Sequence, residues 1–269
     1  MNSFDPNTHI KTVTVVGVGG TGAQVARILG RIVYDMQRAR RHTPQIVLID
    51  PDIVEEKNVG RQLFSPSVLG MPKAEVVGRM LNLALGLDVR WIVDGVDPVK
   101  HFDRYGGNLV VSCVDNHEAR QAIHRVNGIV LGGGNHHQNA QVCIGNTDDL
   151  DLMRRFIDGR DGKYPYLPKE GLLFPELLQP EPVGRRHSHD PEIRPTPEPT
   201  VSCADLVASG DQHLLVNDMV ATIMGQYLHR LLHRLPIHSF VTYAGIGDFI
   251  SSRSLPVCRE ELEVFLGGA

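Results

Sequence analysis

The sequence predicts an α/β protein: a doubly wound, Rossmann-like, mostly parallel sheet with helices on both faces. A crossover loop and a C-terminal helix plus antiparallel strands are expected to follow it. Three observations carry this prediction. Short β-branched runs such as "TVTVV" and "QIVLID" are apolar throughout, as strands covered on both faces must be. Segments with apolar residues at helical spacing lie between the strands, and such alternation builds parallel sheets. The first strand also ends in "GVGGTG", which opens a helix, the usual start of a nucleotide-binding sheet.

Taken in order, "TVTVVGVGG" reads as a buried strand, and "GAQVARILGRIVYDMQRARRH" sets Val25, Ile28, Leu29, Ile32 and Val33 along one helical stripe. "QIVLID" is the second strand and "KAEVVGRMLNLALG" the second helix. "DVRWIVDGV" and "NLVVSCVD" are strands, "NHEARQAIHRVN" a helix and "GIVLGGG" a strand, so the nucleotide-binding core spans 12–145. "QNAQVCIGN" reads as one more strand. Residues 158–202 are rich in proline and poor in periodicity, which predicts an extended crossover loop rather than a packed element. Within 203–269, "DQHLLVNDMVATIMGQYLHRLLHRL" is the strongest helical pattern. "IHSFVTYAG" and "DFISSRSLPV" then form an antiparallel pair joined through "AGIGD". The whole reads as a single domain of 269 residues.

The formal net charge of -4 argues against a general nucleic-acid or membrane-surface binder. No run approaches the roughly 18 apolar residues that a membrane span requires. The N-terminal "MNSFDPNTHIKT" lacks the basic-then-apolar pattern of a signal segment, so a cytoplasmic location is expected. Cys113, Cys143, Cys203 and Cys258 form no C-x-x-C knuckle, and no structural zinc is expected. Cys113 and Cys143 fall inside apolar strands and read as core.

Gly17, Gly19, Gly20 and Gly22 form the glycine loop. Bare backbone approaches a nucleotide closely there, and the helix start favours negative charge. Taken alone, the loop says only that a nucleotide binds. Asp50, at the end of the second strand, fits a ribose-binding carboxylate or the cap of a turn. The discriminating stretch is "KNVGRQLFSPSVLGMPK". Its Arg61 and Lys73 are cations able to stabilise a triphosphate under attack, and Asp115, after "VVSCV", can hold Mg²⁺. A hydride-transfer site would instead need a nicotinamide pocket and an acid/base beside its substrate. Each residue also has a plainer reading: a surface ion pair for Arg61, a first-turn lysine for Lys73, a helix N-cap for Asp115.

In order, "GVGGTG … LIDPDIVEEKNVGRQLF … GMPKAEVV … VVSCVDNHEARQAI" resembles the adenylation domain of the ThiF/MoeB and ubiquitin-activating enzymes over residues 12–145. More narrowly, "PTVSCADL" and "QHLLVNDMVATI" resemble the ThiF-related proteins of a bacterial plasmid cassette, PRTRC. The resemblance implies ATP-dependent adenylation of the C-terminal glycine carboxylate of a small ubiquitin-like or sulfur-carrier protein. It implies ribose binding by Asp50, phosphate contacts from Asn58, Arg61, Gln62 and Lys73, and Mg²⁺ on Asp115. Cys203 becomes the candidate for a second, covalent step. A homodimer and a conjugating-enzyme-like partner are implied as well. Two departures stand out: the paired C-x-x-C motifs of ThiF and MoeB relatives are missing, and no arginine precedes Thr12 to be lent to a neighbouring subunit.

An NAD-dependent oxidoreductase and a non-catalytic nucleotide-binding scaffold are the competing readings. The histidine pairs offer little. His136 and His137 alternate across a strand, and His187 and His189 lie in the proline-rich stretch. His229 and His233 lack the glutamate of a zinc-protease helix and are expected to meet the negative end of their own helix.

Overall fold

The computed structural model describes residues 1–60, 62–136, 138–180 and 215–266. Its strands are β1 (Ser3–Phe4), β2 (Thr12–Val16), β3 (Gln45–Ile49), β4 (Arg90–Ile92), β5 (Asn108–Ser112), β6 (Gly128–His136), β7 (Asn139–Gly145), β8 (Lys163–Tyr164), β9 (Ser239–Ile246) and β10 (Ile250–Pro256). The helices are α1 (Gly20–Arg38), α2 (Lys73–Leu85), α3 (His117–His124), α4 (Leu150–Arg155), α5 (Glu170–Leu173), α6 (Val216–Leu232) and α7 (Arg259–Leu266).

Eight strands form one sheet in the order β10-β9-β7-β6-β5-β2-β3-β4. From β4 to β6 every pairing is parallel, and from β6 to β10 every pairing is antiparallel. The doubly wound core expected for 12–145 and the hairpin of "IHSFVTYAG" with "DFISSRSLPV" are therefore both present.

Side-chain alternation shows why the parallel strands are apolar throughout. Val13, Val15, Ile46, Leu48, Leu109 and Val111 enter the larger core, which also takes the buried stripe of α1 and α6. Val16, Ile49, Val110 and Val130 enter a smaller core with Ile123 and Val126 beside α3. Both faces of the sheet are covered, so neither parity of residue can be polar without cost. On the larger face, α1 and α6 cross closely at Gly225, where an added Cβ would lie 2.7 Å from Ile28 Cγ2.

Two sequence expectations change. The strand "DVRWIVDGV" shortens to Arg90–Ile92 because β4 is an edge strand that pairs only with Val47–Ile49 of β3. The proline-rich stretch is packed at its start. β8 pairs with β1, Leu167 is fully buried, and α5 and the 3₁₀ turn Pro175–Leu178 follow. A two-residue strand and a one-turn helix are shorter than the windows in which periodicity is visible, so the pattern gave no warning. Residues 181–202 of that stretch lie outside the described residues.

Leu29 is fully buried between α1 and the sheet, whereas Leu83 of α2 is 90% exposed. Leu29→Ala is expected to cost about 2–5 kcal/mol in urea unfolding. Leu83→Ala should stay within about 0.5 kcal/mol of the parent.

Candidate active site

In register, Val16 stands beside Ile49 and Ser112, so β2, β3 and β5 end at one level. The Gly17 amide donates to the Ile49 carbonyl at 2.9 Å, and the Cys113 amide donates to the Val16 carbonyl at 2.9 Å. The loops that follow the three strands thus leave the sheet along one edge, where doubly wound folds bind their ligands.

The four loop glycines do different work. Gly17 has φ +81°, and a Cβ there would meet the Cys113 carbonyl oxygen at 2.6 Å. A Cβ on Gly22 would sit 1.8 Å from the Gly17 carbonyl oxygen, so these two shape the turn and seat the helix. Gly19 and Gly20 leave their faces open to two amide side chains instead. A Cβ on Gly19 would come no closer than 3.7 Å to Gln62 Nε2, and one on Gly20 would meet Asn217 Nδ2 at 2.7 Å.

Asp50 is 4% exposed and binds backbone with both oxygens. One accepts the Val18 amide of the glycine loop, and the other accepts the Asp52 amide at 2.8 Å. Burial raises its pKa, against the two amide bonds and the nearby Lys73 ammonium, which lower it. The turn-capping role is therefore real, and each oxygen retains a second acceptor site for a ribose hydroxyl.

Lys73 begins α2 and is 7% exposed, with Nζ 2.8 Å from Asp52 Oδ2. A cation in the first turn faces the positive end of the helix dipole, which disfavours it. Its burial there is offset by Asp52 and by the nearby Asp50. It is no ordinary first-turn lysine. Asp52, the partner of Lys73, has no role that its sequence context announces beyond its two-residue spacing from Asp50.

Asn58 is buried in the 3₁₀ turn Glu56–Asn58, and its Oδ1 accepts the Glu55 amide at 2.8 Å. That oxygen is occupied in shaping the loop. Gln62 Oε1 is buried without a donor among the described residues, which is unusual for a carbonyl oxygen that is not completed by a ligand. Arg61 lies outside the described residues.

Asp115 is exposed, and its carboxylate meets no partner among the described residues. The α3 N-cap is Asn116, whose Oδ1 accepts the Ala119 amide at 2.8 Å, so capping does not explain Asp115. An open glycine face, a buried ammonium, an orphaned amide oxygen and an unpartnered carboxylate together fit a nucleotide carrying a divalent cation.

A second polar group borders the loop. Asn217 Oδ1 accepts the Thr21 hydroxyl at 3.0 Å and the Asn135 amide, joining the starts of α1 and α6 to β6. Nothing in the sequence linked these three, which lie far apart along the chain. A cavity of about 390 Å³ lined by Lys11, Val33, Gln45, Leu87 and Val89 lies instead at the amino-terminal edge of the sheet.

Cys143 lies buried within β7, whereas Cys113 lies one residue past the end of β5, in the turn against Gly17, and not inside the strand expected to hold it. Burial pushes the Cys113 thiol up to about 12 and also raises Cys143. Cys203 lies outside the described residues, as do His137, His187 and His189. His229 and His233 stack at 4.3 Å, with His233 Nδ1 2.9 Å from the His229 carbonyl oxygen, as expected at a helix end.

A doubly wound sheet whose glycine loop is tied to a buried carboxylate and flanked by a buried lysine is an α/β arrangement able to hold a nucleotide. More specifically, residues 8–129, the part that carries the glycine loop, Asp50 and Lys73, match the model of the ThiF family. Ubiquitin-like modifier-activating enzyme 5 of Aedes aegypti is 35% identical over 128 residues, covering 42% of this chain and 30% of that protein. The Drosophila erecta enzyme of the same name is 34% identical over 127 residues, covering 42% and 29%. The chain thus spans under a third of the length of these relatives. Among solved structures, E. coli MccB with ATP superposes with TM-score 0.55 at 18% identity, covering 93% of this chain and 64% of MccB. That likeness concerns the fold.

The glycines separate by the room they have. Gly22→Ala should cost about 1–3 kcal/mol in chemical denaturation, because backbone must move to admit the methyl group. Gly134 of β6 has nothing within 4 Å of an added Cβ. Gly134→Ala should change stability by less than about 0.5 kcal/mol.

Proposed function

We propose that this protein uses ATP to adenylate the C-terminal glycine carboxylate of a small ubiquitin-like or sulfur-carrier protein. The observation that carries this reading is the buried Lys73 ammonium, held by Asp52 at the start of α2 on the edge that also bears the glycine loop and Asp50. A fixed cation there suits a triphosphate far better than a nicotinamide ring, which is itself cationic when oxidised and neutral when reduced. The ThiF-type match over residues 8–129 and the similarity to ubiquitin-like modifier-activating enzyme 5 point the same way.

In this reading Asp50 accepts the ribose hydroxyls, and Asn58, Arg61, Gln62 and Lys73 face the phosphates. A carboxylate oxygen of the carrier attacks the α-phosphorus, the bond to the bridging oxygen breaks, and pyrophosphate leaves. Lys73 and Arg61 offset the charge that builds on the departing group. Asp115 would hold the Mg²⁺ of a bound nucleotide, which would supply partial neutralisation of the triphosphate charge. In a second step the Cys203 thiolate displaces AMP from the acyl adenylate to give a thioester; a Cys203 persulfide, formed by transfer of sulfane sulfur from a persulfide donor, would instead displace AMP through its terminal sulfur and give an acyl persulfide.

Homodimerisation, a cytoplasmic setting, a conjugating-enzyme-like partner and the narrower kinship with PRTRC-cassette proteins belong to the same proposal. Among the described residues no helix is long and apolar enough to cross a membrane. Residues 3–5 are tied within their own chain, to Gly162, Ile237 and Tyr164, and contain no arginine. An arginine lent to a neighbouring site would have to come from elsewhere.

ATP–pyrophosphate exchange, stimulated by candidate carriers ending in glycine, tests the reaction. Arg61→Ala and Asp115→Ala should each lower exchange by about a hundredfold to a thousandfold. Unchanged exchange removes the phosphate-site assignment, and tight NAD(H) binding without ATP binding replaces the reading altogether. Cys203→Ala should preserve exchange while abolishing a thiol-labile carrier adduct; survival of the adduct excludes Cys203.

A further inference from the structure

The charged pair Lys169 and Glu170 sits in the apolar stretch "YPYLPKEGLLF" and is almost wholly buried, at 5% and 8% exposure. Both residues reach α3, Lys169 at its C-terminal end and Glu170 at Arg120 in its middle. Lys169 Nζ donates to the His124 and Val126 carbonyls, each at 2.9 Å, and so completes acceptors left open where α3 stops. Glu170 Oε1 accepts Arg120 Nη1 at 2.7 Å. The same guanidinium donates through Nη2 to the Val114 carbonyl at 2.8 Å, one residue before Asp115. Gln121 Nε2 adds a bond to the Leu178 carbonyl at 2.7 Å.

The sheet makes room for this arrangement. A Cβ on Gly132 would lie 2.7 Å from the Glu170 carboxyl carbon, and one on Gly145 would lie 2.0 Å from the Pro168 carbonyl oxygen. These glycines of β6 and β7 let residues 168–170 lie flat against the strands. A buried ion pair is seldom a better stabiliser than apolar side chains of the same size, but it imposes one geometry. Here that geometry terminates on the turn between β5 and α3.

We infer that Glu170 is a positioning residue for Asp115: through Arg120 it sets the turn that presents this carboxylate to the metal of a bound nucleotide. The inference rests on the reading of Asp115 given under the proposed function. Arg120 cannot swing away from the Val114 carbonyl without leaving Glu170 as an unpaired buried charge, so the turn is held from both sides. The segment 169–178 thereby becomes part of the nucleotide site although it lies beyond the matched residues 8–129.

The test uses the full chain and ATP alone, with affinity measured calorimetrically in excess Mg²⁺ and again in EDTA. Mn²⁺ binding to the ATP complex, followed by electron paramagnetic resonance, gives a second readout. Glu170→Ala risks unfolding, so the informative variants are Arg120→Met with Glu170→Leu, which refills the space, and Arg120→Lys, which keeps the charge but cannot span both partners. Outer-shell changes usually cost ten- to a hundredfold in metal affinity. Each variant that circular dichroism shows to be folded should therefore lose about tenfold in Mg²⁺-ATP affinity, with metal-free ATP binding within about twofold of the parent. Glu170→Gln keeps an acceptor for Arg120 and should retain most of the Mg²⁺ effect. Parent-like Mg²⁺-ATP affinity in either folded variant overturns the inference. Parent-like Mg²⁺ dependence in Asp115→Ala overturns the metal reading itself, which separates the two failures.

Discussion

The Asp50 carboxylate ties the glycine loop to the β3 turn, and the site depends on that attachment. One oxygen holds the Val18 amide and the other holds the Asp52 amide, while Asp52 in turn holds Lys73 at the start of α2. A carboxylate removed from water in this way needs its acceptor sites filled, and strand ends supply unpaired amides that need acceptors. Each need satisfies the other. The result is a fixed relation between the loop that approaches a nucleotide and the cation that would meet its phosphates.

That relation is preorganised. Lys73 is already paired with Asp52, so in the proposed reading a phosphate would exchange or share an ion pair and would not capture a free cation. Asp52 is 63% exposed at its side chain, and water can take over its solvation as the exchange occurs. Asn58 illustrates the same economy, spending its oxygen on the Glu55 amide to keep the cation-bearing loop in shape.

The second half of the chain is joined to the first through polar contacts as well as core packing. Asn217 of α6 meets Thr21 beside the glycine loop, and Lys169 and Glu170 hold the helix behind Asp115. Glycine at positions 20, 132 and 145 is what lets these side chains and backbone segments approach. Space explains two glycines of the run "LGGG": Gly132 admits Glu170, and Gly133 lies against Val220 and Met224 of α6, whereas Gly134 has nothing within 4 Å of an added Cβ.

The doubly wound core, the order of its strands and helices, and the C-terminal hairpin were legible in the sequence. Burial on both sheet faces leaves continuous apolar runs, and the helices leave stripes. The positions of the glycine loop, Asp50 and Asp115 were legible because each follows a strand end at short range, and that of Lys73 because it opens a helix; their roles toward a nucleotide belong to the proposal. The packed start of the proline-rich stretch was not legible, since β8 and α5 are shorter than any periodic signal and are held by distant partners. Whether Asp115 capped a helix, whether Lys73 was an ordinary first-turn lysine, and where Lys169 and Glu170 place their charge were decided only by tertiary structure. Local sequence determines which backbone groups will need partners; only the folded chain brings together residues as far apart as Thr21 and Asn217, or Arg120 and Glu170, that supply them.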